Sequence, residues 1–95
     1  MATIMLMHWP EVTEGQYAEA RRLVNWEGDV PAGAKFHTAW FAADGFHVFD
    51  LWESRESFET FVRDRLTPAV EKIGIKGQPA VQFETSTAIF APNPG

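Results

Sequence analysis

Three histidines and thirteen carboxylate side chains are what this chain offers for acid–base or metal chemistry, and it contains no cysteine. The missing thiol removes disulfides, thiolate nucleophiles and cysteine-ligated zinc together, and fits a reducing, cytoplasmic setting. Among the remaining groups His37 and Asp50 stand out, because both fall in the aromatic-rich stretch 36–54, FHTAWFAADGFHVFDLWES. A carboxylate that orients an imidazole makes a general base, suited to taking a proton from an aromatic or enolisable ligand. Asp50 is the more informative of the two, since Asp is disfavoured in the middle of a strand. The plainer alternative is that two buried polar groups satisfy each other and merely fix strand register. His8 and His47 make a weaker case. They fall at the ends of neighbouring strands, but two histidines without a third ligand do not define a metal site. No metal is therefore assigned, and polar packing at the sheet end or a subunit interface is expected of them. No Gly-rich phosphate loop, nucleophile elbow or nucleotide fingerprint is present, and no cofactor is implied.

These side chains meet only if the stretch folds back on itself. Asp44-Gly45 is a strong hairpin signal, because a type I′ turn needs two residues that accept positive φ at low cost. Closing there pairs Trp40 with Phe49, Thr38 with Leu51 and His37 with Trp52, and leaves His37 diagonal to Asp50, within reach of a hydrogen bond. Alternation then sorts the hairpin into two surfaces. One holds Thr38, Trp40, Phe49 and Leu51; the other holds His37, Ala39, Phe41, Phe46, Val48, Asp50 and Trp52. A hairpin with one wet side should alternate apolar with polar, and this one does not. Both of its surfaces need cover.

The flanking chain supplies the cover for one of them. Thr3–Trp9 is a short apolar run ending at Pro10, a buried first strand. Thr13 and Gln16 form a capping box, with Val12 and Tyr17 spaced as a hydrophobic staple, so a helix starts there. Tyr17, Ala20, Leu23 and Val24 make its inner stripe, and Arg21 borders it, free to send its head to a cavity or to solvent. Residues 25–33 (NWEGDVPAG) are a loop whose Trp26 packs back on its own domain. Ser54 caps a second helix with Phe58, Phe61, Val62, Leu66, Ala69 and Ile73 on one stripe; Pro68 within it predicts a kink near residues 64–67. A loop over 74–79 leads to a last, half-polar edge strand over 80–90, and 91–95 is a tail.

The order β-α-β-β-α-β in residues 1–95 makes a single α+β domain. Right-handed crossovers place both helices on one side of a four-stranded antiparallel sheet, the ferredoxin-like arrangement. The other side, with Trp40, Phe49, Thr38 and Leu51, is then bare, and a second copy packed sheet to sheet is the economical way to cover it. Composition agrees: 45% hydrophobic and 14% aromatic residues belong to a folded chain. A net charge of −5 argues against nucleic acid. No apolar run approaches the roughly 20 residues of a membrane span, and the first residues, MATIMLMHWPE, lack a basic targeting region, so a cytoplasmic, unprocessed chain is expected.

The whole element order resembles the dimeric α/β-barrel superfamily, which includes small cofactor-independent antibiotic-biosynthesis-type monooxygenases and muconolactone isomerases. The most specific local element is Trp52-Glu53-Ser54 leading into Glu56 and Phe58, similar to the W-x-S-x-E-A-F pattern of the monooxygenases. The resemblance implies that Trp52 lines a pocket between sheet and helices, and that His37, Phe41, Val48 and Asp50 face the helices. The monooxygenases commonly carry an Asn four residues before that Trp and a His nine after it; here those positions are Val48 and Phe61. Tyr17, Phe61 and Arg65 complete the expected pocket, Arg65 either meeting an anionic ligand group or pairing with Glu56, Glu59 or Asp64. The function that follows is binding of a small aromatic or polyketide-like compound by a homodimer, with cofactor-independent oxygenation or isomerisation as the chemistry. The alternative is a homodimer that binds a ligand, or only supports structure, and catalyses nothing.

Overall fold

A computed structural model describes residues 2–91. The elements run β1 (Thr3–Trp9), α1 (Glu14–Val24), β2 (Ala34–Ala42), β3 (Gly45–Trp52), α2 (Arg55–Phe61), a π-helical turn (Val62–Leu66), α3 (Thr67–Ile73) and β4 (Ala80–Thr85). The strands form one antiparallel sheet in the order β2-β3-β1-β4, the ferredoxin-like α+β topology. Among the described residues no helix is long and apolar enough to cross a membrane.

The helix boundaries follow local chemistry. At the start of α1 the Gln16 N–H donates to Thr13 Oγ1 (3.1 Å) and the Thr13 N–H donates to Gln16 Oε1 (3.0 Å), the reciprocal pairing of a capping box. Asn25 ends the helix in the left-handed conformation, φ 53°. Ser54 Oγ accepts the Ser57 N–H and so starts α2. The break expected at Pro68 takes the form of the π-helical turn rather than a simple kink. There the Thr67 N–H reaches back five residues to the Val62 carbonyl, and Pro68 enters α3 in its first turn, where no N–H is required of it. Phe58, Phe61 and Ala69 stay buried on one side across the irregularity.

The last strand is shorter than the sequence suggested, ending at Thr85 instead of residue 90. Its only neighbour is β1, whose first rung pairs Thr3 with Thr85. One further bond, from the Ser86 N–H to the Ala2 carbonyl, extends the ladder, and beyond it no strand among the described residues is left to pair with. Of the expected tail, residues 92–95 lie outside the described residues.

The hairpin also differs from expectation, and instructively. Its ladder pairs Ala42 with Gly45, Trp40 with His47, Thr38 with Phe49 and His37 with Asp50, a slip of two residues from closure at Asp44-Gly45. Positive φ falls on Gly45 alone (+112°), and Asp44 has no left-handed backbone. A Cβ on residue 45 would sit 2.6 Å from Pro10 Cα, so the packing of the turn against the β1–α1 corner demands glycine at that rung. Because the side-chain period is two, this slip leaves both faces of the hairpin as predicted while moving His37 from diagonal to directly opposite Asp50.

The two faces are unequally covered. Met5, Met7 and Trp9 of β1 and Phe46, Val48 and Trp52 of β3 are buried under Val24, Phe58, Phe61 and Ala69. The opposite face carries Ile4, Leu6 and His8, then His47, Phe49 and Leu51, then Phe36, Thr38 and Trp40 in the register of the ladders. Among the described residues no element lies over it, and Phe36 and Trp40 are about half exposed, at 49% and 45%.

Candidate functional site

On the helix side the β2–β3 ladder sets His37 against Asp50, and α1 brings Tyr17 over the pair. The result is a continuous hydrogen-bonded chain. The Trp52 Nε1–H donates to Asp50 Oδ2 (3.0 Å), Asp50 Oδ1 meets His37 Nδ1 (2.7 Å), and His37 Nε2 meets the Tyr17 hydroxyl (2.9 Å). Asp50 is 3% exposed and is an acceptor at both oxygens, so Nδ1 is the protonated nitrogen of the neutral ring. Nε2 is then the acceptor, and the Tyr17 O–H is the group donating to it. Among the described residues no buried side-chain nitrogen or oxygen lacks a partner. A buried carboxylate held at both oxygens fixes the orientation and tautomer of the imidazole it touches.

This chain borders a cavity of about 390 Å³ between the sheet and the helices. Met5, Met7 and Val48 line it from the sheet; Tyr17, Val24, Phe61 and Leu66 line it from the helices. Its titratable groups are few: His37, Asp50, the Tyr17 hydroxyl and an ion pair between Arg21 and Glu27, 2.7 Å apart. Arg21 and Glu27 are both exposed, so the cavity reaches solvent beside them. An apolar space with a handful of convergent polar groups is the usual make-up of a small-molecule site. Burial holds the Tyr17 phenol above its ordinary pKa of 10; Arg21 opposes this, and the Glu27 and Asp50 carboxylates add to it. Tyr17 is thus a hydroxyl donor at neutral pH, not a phenolate.

Of the residues assigned to the pocket from sequence, Tyr17, Val48 and Phe61 line it together with His37 and Asp50. Trp52 is wholly buried behind the cavity, edge-on to Trp26 and Phe58 with its indole N–H committed to Asp50. Phe41 sits toward the hairpin end, 38% exposed, with its ring against Tyr17 and Phe46. Arg65 meets neither a ligand-facing space nor Glu56, Glu59 or Asp64. Its Nη2 donates to the carbonyls of Val24 (2.6 Å), Asn25 (3.3 Å) and Asp29 (2.6 Å), which fastens the loop after α1 to the C-terminal end of that helix.

That loop also brings Trp26 to the site. Trp26 does pack back on its own domain, and it does so on the site, with its ring centroid 5.2 Å from that of His37, 5.4 Å from Trp52 and 5.7 Å from Phe61. The only available signal was that Trp26 is the one large apolar side chain of its loop. Arg21 was visible as a residue bordering the inner stripe of α1. Glu27, reached only through the left-handed turn at Asn25, carried no signal at all.

Neither a protein-family model nor a curated protein matches this sequence. Solved structures do match over nearly its whole length. A dimeric ferredoxin-like protein of unknown function from Thermobifida fusca superposes with a TM-score of 0.66 at 10% identity, covering 90% of this chain and 92% of that one. SnoaB, a cofactor-independent oxygenase from Streptomyces nogalater, gives a TM-score of 0.62 at 11% identity, covering 96% and 97%. A monooxygenase from Streptomyces coelicolor, solved in complex with nanaomycin D, gives 0.56 at 19% identity, covering 97% and 92%. At such identities the likeness is one of fold: this chain has the ferredoxin-like architecture of the dimeric protein of unknown function, and it superposes as well on an oxygenase and a monooxygenase.

Proposed function

We propose that the cavity binds a small aromatic or polyketide-like molecule bearing a phenolic or enolic hydroxyl, and that His37, oriented by Asp50, removes its proton. The observation that carries this reading is the Asp50–His37 pair bordering an apolar cavity with Nε2 as the acceptor. In the free protein that nitrogen is occupied by the Tyr17 hydroxyl, a phenol in the place where a substrate phenol would sit. A ligand hydroxyl that displaces Tyr17 transfers its proton to Nε2, and the Asp50 carboxylate stabilises the imidazolium that forms. The resulting dienolate or phenolate either recovers the proton at another carbon, which is isomerisation, or reacts with dioxygen as co-substrate, which is cofactor-independent oxygenation. The fold shared with a cofactor-independent oxygenase and with a nanaomycin-bound monooxygenase supports this substrate class.

Hydroxynaphthoquinones and hydroxyanthrones are the probes. Binding is expected to raise the melting temperature of the wild type, and His37→Ala is expected to lower turnover by about 10²–10⁴-fold, the usual size of a general-base contribution. Binding of the probes with no turnover, in wild type and variant alike, would instead favour a ligand carrier. The complete internal satisfaction of the Tyr17–His37–Asp50–Trp52 chain is what speaks for that second reading.

The working unit we propose is a homodimer formed through the open face, with Trp40, Phe49, Thr38 and Leu51 at its centre. The half-exposed aromatic rings there and the dimeric Thermobifida fusca neighbour support it. Trp40→Glu is expected to convert the dimer to a monomer in analytical ultracentrifugation while leaving the circular dichroism spectrum unchanged. A variant that still sediments as a dimer would place the contact elsewhere.

A further inference from the structure

A second cluster of histidine and carboxylate lies on the other face of the same hairpin and shares no residue with the cavity. His8 and His47 are directly paired across β1 and β3, and their rings stack with centroids 4.4 Å apart and planes within 9°. Trp40, paired with His47 across β2 and β3, continues the stack at 5.1 Å and 7°. Three rings from three strands thus hold one another upright. Both Nε2 atoms turn to Asp44 in the hairpin turn. His47 Nε2 is 2.7 Å from Asp44 Oδ1; His8 Nε2 is 3.7 Å from Oδ2 and 2.8 Å from the Asp44 carbonyl oxygen. One ligand atom from each of the three side chains can be chosen so that all lie within 4.8 Å of one another.

That spacing is close to what one ion requires. Nitrogen and oxygen ligands at about 2.0–2.2 Å from a tetrahedral ion stand about 3.3–3.5 Å apart, so small side-chain rotations suffice to close around it. The donor set decides which ion. Two imidazoles and one carboxylate suit zinc and its neighbours in the first transition row, whereas magnesium and calcium prefer oxygen throughout. The strands set the separation of the two imidazoles before any ion arrives, and Trp40 limits the turning of His47, so much of the ordering is done in the free protein. Asp44 is the third ligand that the sequence analysis lacked.

We propose that His8, Asp44 and His47 form a binding site for one divalent transition-metal ion of the zinc type, with a fourth coordination position left to water or an added ligand. The test is calorimetric titration of the untagged, chelator-treated full chain with Zn²⁺, read per chain. One ion per chain is expected. His8→Ala and His47→Ala should each weaken binding at least tenfold, roughly the smallest loss seen even for an outer-shell partner of a metal. Asp44→Asn, on the exposed turn, should weaken it in the same direction and keeps the test decisive if a strand variant fails to fold. Cu²⁺ should quench the Trp40 emission through His47, and Trp40→Phe should remove that part of the quench. His37→Ala should change neither readout. Absence of Zn²⁺ binding, or binding that survives the His8, His47 and Asp44 substitutions, or that is lost with His37, would overturn the proposal.

Discussion

The two sides of this sheet carry the same pair of residue types and use them differently. On the helix side a histidine and an aspartate meet at 2.7 Å, the aspartate buried and held at both oxygens. On the open side a histidine and an aspartate also meet at 2.7 Å, but the aspartate stands in the exposed turn. Distance is therefore not what separates the two. Burial is: the inner carboxylate has no water to turn to, so its partners become obligatory, while the outer one keeps solvent as an alternative. The first arrangement holds an imidazole in one orientation beside an apolar space. The second leaves ligand atoms accessible to an ion.

Substitutions on the two sides can break or sharpen this contrast. The largest effect is expected from Trp52→Ala, which empties the fully buried centre of the core and also frees Asp50 Oδ2 from its donor. Loss of about 3–5 kcal/mol in a urea melt is expected. A loss below about 1 kcal/mol would mean that the core collapses around the gap and Asp50 finds another donor. Next comes the matched pair. Asp50→Asn should destabilise by about 1–3 kcal/mol, since the amide cannot accept from Trp52 and His37 as the carboxylate does. Asp44→Asn should leave the urea midpoint where it is. Equal midpoints for the two variants would show that burial is not what distinguishes the clusters.

The smallest effect is spectroscopic. Tyr17 is the only tyrosine, so tyrosinate absorbance on alkaline titration reports this site alone. Its transition should lie above the ordinary value of 10, chiefly through burial, and Asp50→Asn should lower it by removing one of the charges that oppose phenolate formation. The linked stability has a definite sign. A folded pKa above the unfolded one contributes stability that is intact below pH 10 and is lost as pH climbs through the folded value. Tyr17→Phe should therefore flatten the alkaline fall in melting temperature. A transition at 10 or below would mean that the hydroxyl is not sequestered with His37.

What could be read from the residues was whatever depends on period and local pairing. Alternation placed His37, Val48, Asp50 and Trp52 on one face, and the Thr13–Gln16 box located the start of α1. Positions fixed by contacts between distant segments were not legible. The turn residue is chosen by Pro10, thirty-five positions earlier in the chain. Arg65 is drawn to the carbonyls at the end of α1, and Trp26 to a pocket built by β3 and α2. Pro68 announces an irregularity in its helix without saying that a widened turn will absorb it.

The contact between Gly45 and Pro10 has a consequence for folding as well as for shape. Two alignments of the hairpin, offset by two residues, bury the same side chains, so hydrophobic burial is nearly degenerate between them and cannot select one. Glycine at a single backbone position is what admits the native one. A methyl group there would meet the Pro10 backbone in the native alignment, the one that sets His37 directly opposite Asp50. The meeting of His37 with Asp50 thus depends on a residue that carries no functional group.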